Sequence, residues 1–119
     1  MTKLVSVAAG EAFAAYVDLR PASPTCGVVD TVELRPGVQV LVPAGVANGF
    51  QALTDGCQYL YCFDTEWQPG MPGQACTPLD PAFAWPIPID PDDASQISAK
   101  DRSAPRLADV LLDQTQGKT

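Results

Sequence analysis

The sequence predicts an all-β domain, a sandwich or barrel, followed by an irregular proline-rich arm and a short C-terminal helix. Three observations carry that expectation. Short apolar runs separated by turn residues fill the first half, helical periodicity is nearly absent until the C-terminal end, and prolines crowd the stretch between.

Taken in order, Leu4–Val7 reads as an extended segment that stops at Gly10, and Phe13–Leu19 as a second. Pro21–Gly27, rich in Pro, Ser and Thr, is a turn region. Val28–Leu34 alternates apolar and polar residues, the period of a strand with one buried face, and ends at Pro36-Gly37. Val38–Val42 resumes extended chain. Asp55-Gly56, between Phe50–Leu53 and Gln58–Tyr61, is a hairpin signal because these residues tolerate positive φ. Seven of the twelve prolines fall between residues 69 and 91, where missing donors and restricted neighbours disfavour regular structure. That arm is expected to pack Phe83 and Trp85 onto the barrel. Pro105–Asp113 is predicted as a helix with Leu107, Val110 and Leu111 as its apolar stripe, Pro105 in its first turn and Ser103 as its cap. Residues 1–113 are expected to form one domain and Gln114–Thr119 a frayed tail, since 119 residues, 46% hydrophobic, suffice for a single core.

Composition narrows the chemistry. The chain has no histidine, which removes the usual general base and metal ligand. Fourteen acidic against seven scattered basic residues, net charge −7, argue against binding nucleic acid or an anionic membrane surface. No stretch is long enough to span a bilayer, and the apolar run Leu4–Ala9 is too short and too soon followed by Glu11 to suit a secretory signal. Cys26, Cys57, Cys62 and Cys76 contain no CxxC pair, so free thiols in a cytoplasmic protein, without metal or cofactor, are expected.

An ordered set of segments resembles the RmlC-like family of dTDP-4-dehydrorhamnose 3,5-epimerases. They are Lys3-Leu4-Val5 with Gly10-Glu11 and Phe13, Val17-Asp18-Leu19-Arg20, Ser23-Pro24-Thr25 with Gly27, Val42-Pro43-Ala44-Gly45 and Ala47-Asn48-Gly49-Phe50. Leu60-Tyr61, Asp80-Pro81, Trp85-Pro86 and Ser98-Ala99-Lys100-Asp101 with Pro105 follow in the same order. The resemblance implies a cupin-type jelly-roll barrel, shortened at its N-terminus, and a nucleotide-linked 4-keto deoxysugar as substrate.

Family enzymes abstract protons beside the keto group with a histidine oriented by an aspartate, and return a proton from a tyrosine on the opposite face. By position Tyr61 matches that tyrosine and Asp101 the aspartate. The family's base histidine and a substrate-contacting arginine belong to an N-terminal segment with no counterpart in these residues. A second family histidine is replaced by Asn48. Lys3 and Lys100 match lysines near the substrate's phosphates or sugar, and Trp67 an aromatic near the nucleotide.

Each residue also has a plainer reading. Lys3 stands near a solvated terminus, and Tyr61 shares a strand face with Tyr59, where a core role is available. Asn48-Gly49 is a favoured turn pair, and Asp101 suits a helix cap. Asp18-Leu19-Arg20 reads as an ion pair closing a strand and Asp80-Pro81 as a turn. The expected function is an epimerase-like isomerase of dTDP-rhamnose-type deoxysugar biosynthesis that keeps the acid and the orienting carboxylate but lacks the base. The alternative is a non-catalytic module of the same fold that binds a sugar nucleotide or pairs with a complete subunit. Exposed sheet edges favour a homodimer.

Overall fold

The computed structural model describes residues 2–65 and 75–115. Six strands, β1 (Lys3–Ala9), β2 (Ala12–Asp18), β3 (Val29–Leu34), β4 (Gln39–Val42), β5 (Val46–Ala52) and β6 (Gln58–Phe63), form two antiparallel three-stranded sheets, ordered β4-β1-β6 and β3-β2-β5. Only β2 and β3 are neighbours both in sequence and in a sheet. Every other connection crosses between layers, and the all-β jelly-roll expectation is met.

The core lies between the layers and follows from strand alternation. Val5 and Val7 of β1 face Ala12, Ala14 and Tyr16 of β2, and Leu34 and Val42 close the cluster. On β2 the residues between them are buried as well: Ala15 and Val17 point to the outer face of their sheet, where Val17 packs with Leu19, Leu107 and Val110. A strand covered on both faces carries a continuous apolar run, which is why Ala12–Val17 shows little alternation.

The Asp55-Gly56 hairpin is corrected. Gly56 does adopt positive φ, +69°, but β5 pairs with β2 and β6 with β1. Turn chemistry is local, whereas pairing is decided by the core: Phe50 of β5 and Tyr59 of β6 stack across the layers at 3.8 Å, and each strand finds its hydrogen bonds in its own sheet. Gly10, between β1 and β2, explains its residue type by crowding. At φ +78° a Cβ there would lie 2.5 Å from Thr54 Oγ1, because the Gly10 and Thr54–Gly56 turns share one end of the barrel.

The described part of the arm, residues 75–91, contains no helix or strand. Trp85 meets Phe13 edge-on at 5.8 Å and donates from its indole N–H to Pro78 O at 2.8 Å, while the Gln51 side chain clamps the backbone of Ile87 from both sides. Two helices follow, α1 (Ala99–Ser103) and α2 (Leu107–Thr115). The helix predicted over Pro105–Asp113 thus starts two residues later, and α1 escaped the sequence reading because five residues are too few to show a period. Ser103 does not cap α2. It closes α1, its hydroxyl donating to Ala99 O, and the first amide of α2, Leu107 N–H, donates instead to Asp80 Oδ2 at 2.8 Å. Asp80 also receives Ala82 N–H, so the expected turn at Asp80-Pro81 doubles as a long-range helix cap. Asn48-Gly49 is no turn; both residues lie inside β5, opposite Tyr16 and Ala15.

Candidate functional site

A cleft of about 220 Å³ opens between β5, β6, the arm and α1, lined by Asn48, Phe50, Tyr61, Phe83, Trp85 and Asp101 among others. Strand register explains its polar members. Lys3, two residues before Val5, shares the inner face of β1, and opposite it on β6 the same face carries Tyr59, Tyr61 and Phe63. On the facing sheet Asn48 is the inner-face residue of β5 beside Tyr16. Lys3 Nζ reaches across the barrel to donate to Asn48 Oδ1 at 2.8 Å. Asp101 comes from α1, where its backbone N–H is capped by Ser98 Oγ at 3.1 Å and its carboxylate is left to face the cleft.

Burial sets the protonation of these groups. It lowers the pKa of Lys3, because desolvation penalises the ammonium. It raises those of Tyr59 and Tyr61, while the Asn48 amide works against the rise in both and the Asp101 charge adds to it at Tyr61. At neutral pH these phenols are therefore donors. Tyr61 is 41% exposed at the mouth, stacked on Phe63 at 5.7 Å and edge-on to Tyr59 at 4.9 Å. The cleft offers an amide and a phenol to an oxygen-rich ligand, a carboxylate to one side and aromatic walls, with the Lys3 ammonium bonded to the Asn48 amide.

Beside β3 and β4 lies a second cleft of about 340 Å³, walled by Val32, Val40, Val42 and Val46. At its rim Arg20 and Asp18 form the expected ion pair, Nε to Oδ1 at 2.9 Å and a second bond from Nη2 at 3.0 Å. Ser23 and Thr25 donate to the same carboxylate and so order the Pro21–Gly27 loop. These donors hold the Asp18 pKa far below the usual carboxylate range, the Arg20 bonds contributing most.

The family model described as dTDP-4-dehydrorhamnose 3,5-epimerase matches residues 1–109. The chain belongs to this family. The dTDP-4-dehydrorhamnose 3,5-epimerase of Mycobacterium tuberculosis is 34% identical over 110 residues, an alignment covering 91% of this chain and 54% of that protein. Among solved structures, the Legionella pneumophila epimerase in complex with dTDP-4-keto-L-rhamnose superposes with a TM-score of 0.73 at 34% identity, covering 92% of this chain and 60% of the other. The Streptococcus suis RmlC in complex with dTDP-D-xylose gives 0.76 at 30%, with 92% and 56% covered. The chain thus spans little more than half the length of the curated relatives it matches.

Of the residues that the sequence nominates in this epimerase-family chain, the structure places Asn48, Tyr61 and Asp101 on the cleft and Lys3 against Asn48. Lys100, although next to Asp101, is exposed on α1 and does not line the cleft. Trp67 lies outside the described residues. Two residues of the interior were not nominated. Tyr59 was read as a core alternative to Tyr61, and Tyr16 sits in a run whose apolar neighbours hide it. No helix of the described residues is long and apolar enough to cross a membrane.

Proposed function

We propose that this chain is an epimerase-type protein of deoxysugar biosynthesis that holds a dTDP-linked 4-keto-6-deoxyhexose with its sugar in the Asn48–Tyr61 cleft. The observation that carries the reading is the convergence of Lys3, Asn48, Tyr61 and Asp101 from four separate elements. In this reading Lys3 and Asn48 face the keto oxygen. Loss of a proton to solvent water from the carbon beside the ketone, slow without a positioned base, leaves an enolate, and a cation in a partly desolvated site stabilises that charge more than water would. Tyr61, neutral at pH 7, returns a proton to carbon, and Asp101 accepts a hydrogen bond at the same mouth. Lys100 and Trp67 are left for the nucleotide side.

These 119 residues contain no histidine, and a carboxylate is a weaker base than an imidazole. Loss of a positioned base costs about 10² to 10⁴ in rate, so the 119-residue chain is expected to bind better than it turns over. The same observation favours the second reading, a binding module without turnover. Both belong to one unit, residues 1–113, since Leu107 and Val110 pack onto Val17 and Leu19. Free thiols at all four cysteines support a reducing, cytoplasmic setting. The uncovered outer face of the β4-β1-β6 sheet, with Leu41 67% and Leu60 47% exposed, supports pairing with a second copy.

The test is calorimetric titration with dTDP-4-keto-6-deoxyglucose, followed by mass spectrometry of the sugar after incubation in deuterated solvent. Binding with slow deuterium uptake at C3 or C5, slowed further by Tyr61→Phe, is the expected result. Binding with no uptake selects the module reading, and no binding refutes both.

A further inference from the structure

Asn48 stands at the junction of the polar groups around the cleft, and its amide has two unlike ends. One end is fixed, since Lys3 Nζ lies 2.8 Å from Asn48 Oδ1. An ammonium has protons to give and no lone pair, so the amide oxygen is the atom that meets it and the NH2 group is turned to the other side. Strand register decides what it finds there. Asn48 of β5 lies opposite Tyr16 of β2, and on β6 Tyr59 and Tyr61 stand edge-on with ring centres 4.9 Å apart.

The ionisation of the phenols identifies the donor. Burial raises the pKa of Tyr59 and of Tyr61, and the Asn48 amide pulls both back, as a group that donates to a phenol oxygen does. An NH2 group has two protons, enough for both rings. The phenols differ in where their own protons go. Tyr59 is bonded to Tyr16 inside the barrel, and the bond raises the pKa of Tyr59 and lowers that of Tyr16, so Tyr59 donates and Tyr16 accepts. Tyr61 instead lines the cleft, where Asp101 of α1 and Cys76 of the arm are the other titratable groups.

We propose that Asn48 is the positioning residue of Tyr61: held at its oxygen by Lys3, it donates from its nitrogen to the phenol oxygen and so leaves the phenolic proton to point into the cleft. The inference deepens the sugar-nucleotide reading above, on which it rests for the acceptor of that proton, and it leaves the keto oxygen to the remaining protons of the ammonium. When Tyr61 gives its proton to the enolate carbon, the phenolate left behind keeps the Asn48 N–H until water reprotonates it.

With three tyrosines in the chain, each phenol can be titrated separately by nuclear magnetic resonance of 13C-labelled rings, Tyr61→Phe making the assignment. In the parent, the Asn48 amide protons are expected to show nuclear Overhauser contacts to the Tyr61 ring. Asn48→Leu, close to asparagine in shape, should bind the Tyr61 proton three- to tenfold more tightly, roughly one hydrogen bond to a half-exposed phenolate. Lys3→Met should tighten it about twofold, and by much less once residue 48 is leucine, because its influence runs through the amide. Unchanged proton affinity of Tyr61 in Asn48→Leu, an equal effect of Lys3→Met in both backgrounds, or no contact between the Asn48 amide and the Tyr61 ring overturns the proposal. Absence of sugar-nucleotide binding by the parent chain overturns the proposed function alone, since the titrations need no ligand.

Discussion

Replacing Asp80 by alanine tests how the cleft wall is held. The Asp80 carboxylate receives Leu107 N–H at 2.8 Å across 27 residues of sequence and Ala82 N–H at 2.9 Å within its own turn. Loss of a helix-capping carboxylate costs about 1 kcal/mol, and its favourable position at the N-terminus of α2 adds roughly 0.5 kcal/mol. The turn bond is exposed, so water replaces most of it, and about 0.5 kcal/mol is a fair allowance. The sum, about 2 kcal/mol, corresponds to a fall in Tm of roughly 6–10 °C for a chain of this size. Thermal unfolding by circular dichroism measures it, and hydrogen exchange at the Leu107 amide locates it. Asp80→Asn keeps one acceptor oxygen, turns an amide NH2 toward the other backbone donor and loses the charge, so it should recover less than half of the loss. A fall of less than about 1 °C with unchanged exchange at Leu107 would show that α2 is held by Leu107 and Val110 packing alone, and that the cap is incidental.

Two predictions concern pH. The Asp18 pKa is depressed in the folded chain, so its contribution to stability is full above the unfolded carboxylate value of about 4 and is lost as pH falls below it. Asp18→Asn should therefore flatten the acid side of the stability–pH curve, measured by denaturant titration at successive pH values, and a curve parallel to the parent's would contradict the assignment. The pKa values of Tyr16, Tyr59 and Tyr61 are all raised by burial. The unfolded chain then releases phenolic protons first, so stability should decline as pH rises through about 10, and ultraviolet titration should show less phenolate in the folded protein than in the unfolded chain at that pH.

Much of the fold was legible because its signals are local. Alternation in Val28–Leu34, positive-φ glycines at turns and the proline-dense arm each follow from the chemistry of a few adjacent residues. So does the Asp18–Arg20 pair, whose two members are separated by one residue and are brought together by any extended chain that turns there. The ordered motifs also identified the family, and nominated Asn48, Tyr61 and Asp101, which line one cleft, and Lys3, which bonds Asn48.

What the sequence by itself determined, then, is which segments extend, where they turn, and which side chains carry charge or protons. Pairing belonged to the tertiary structure, because Asp55-Gly56 specifies a turn but not a partner, and stacking of Phe50 on Tyr59 across the layers sends β5 and β6 to different sheets. The same holds for the Asp80 cap, whose donor lies on a distant helix. It holds most of all for Tyr16, apolar by its neighbours and polar by its tip. Only closure of the barrel places that hydroxyl beside the phenols of β6.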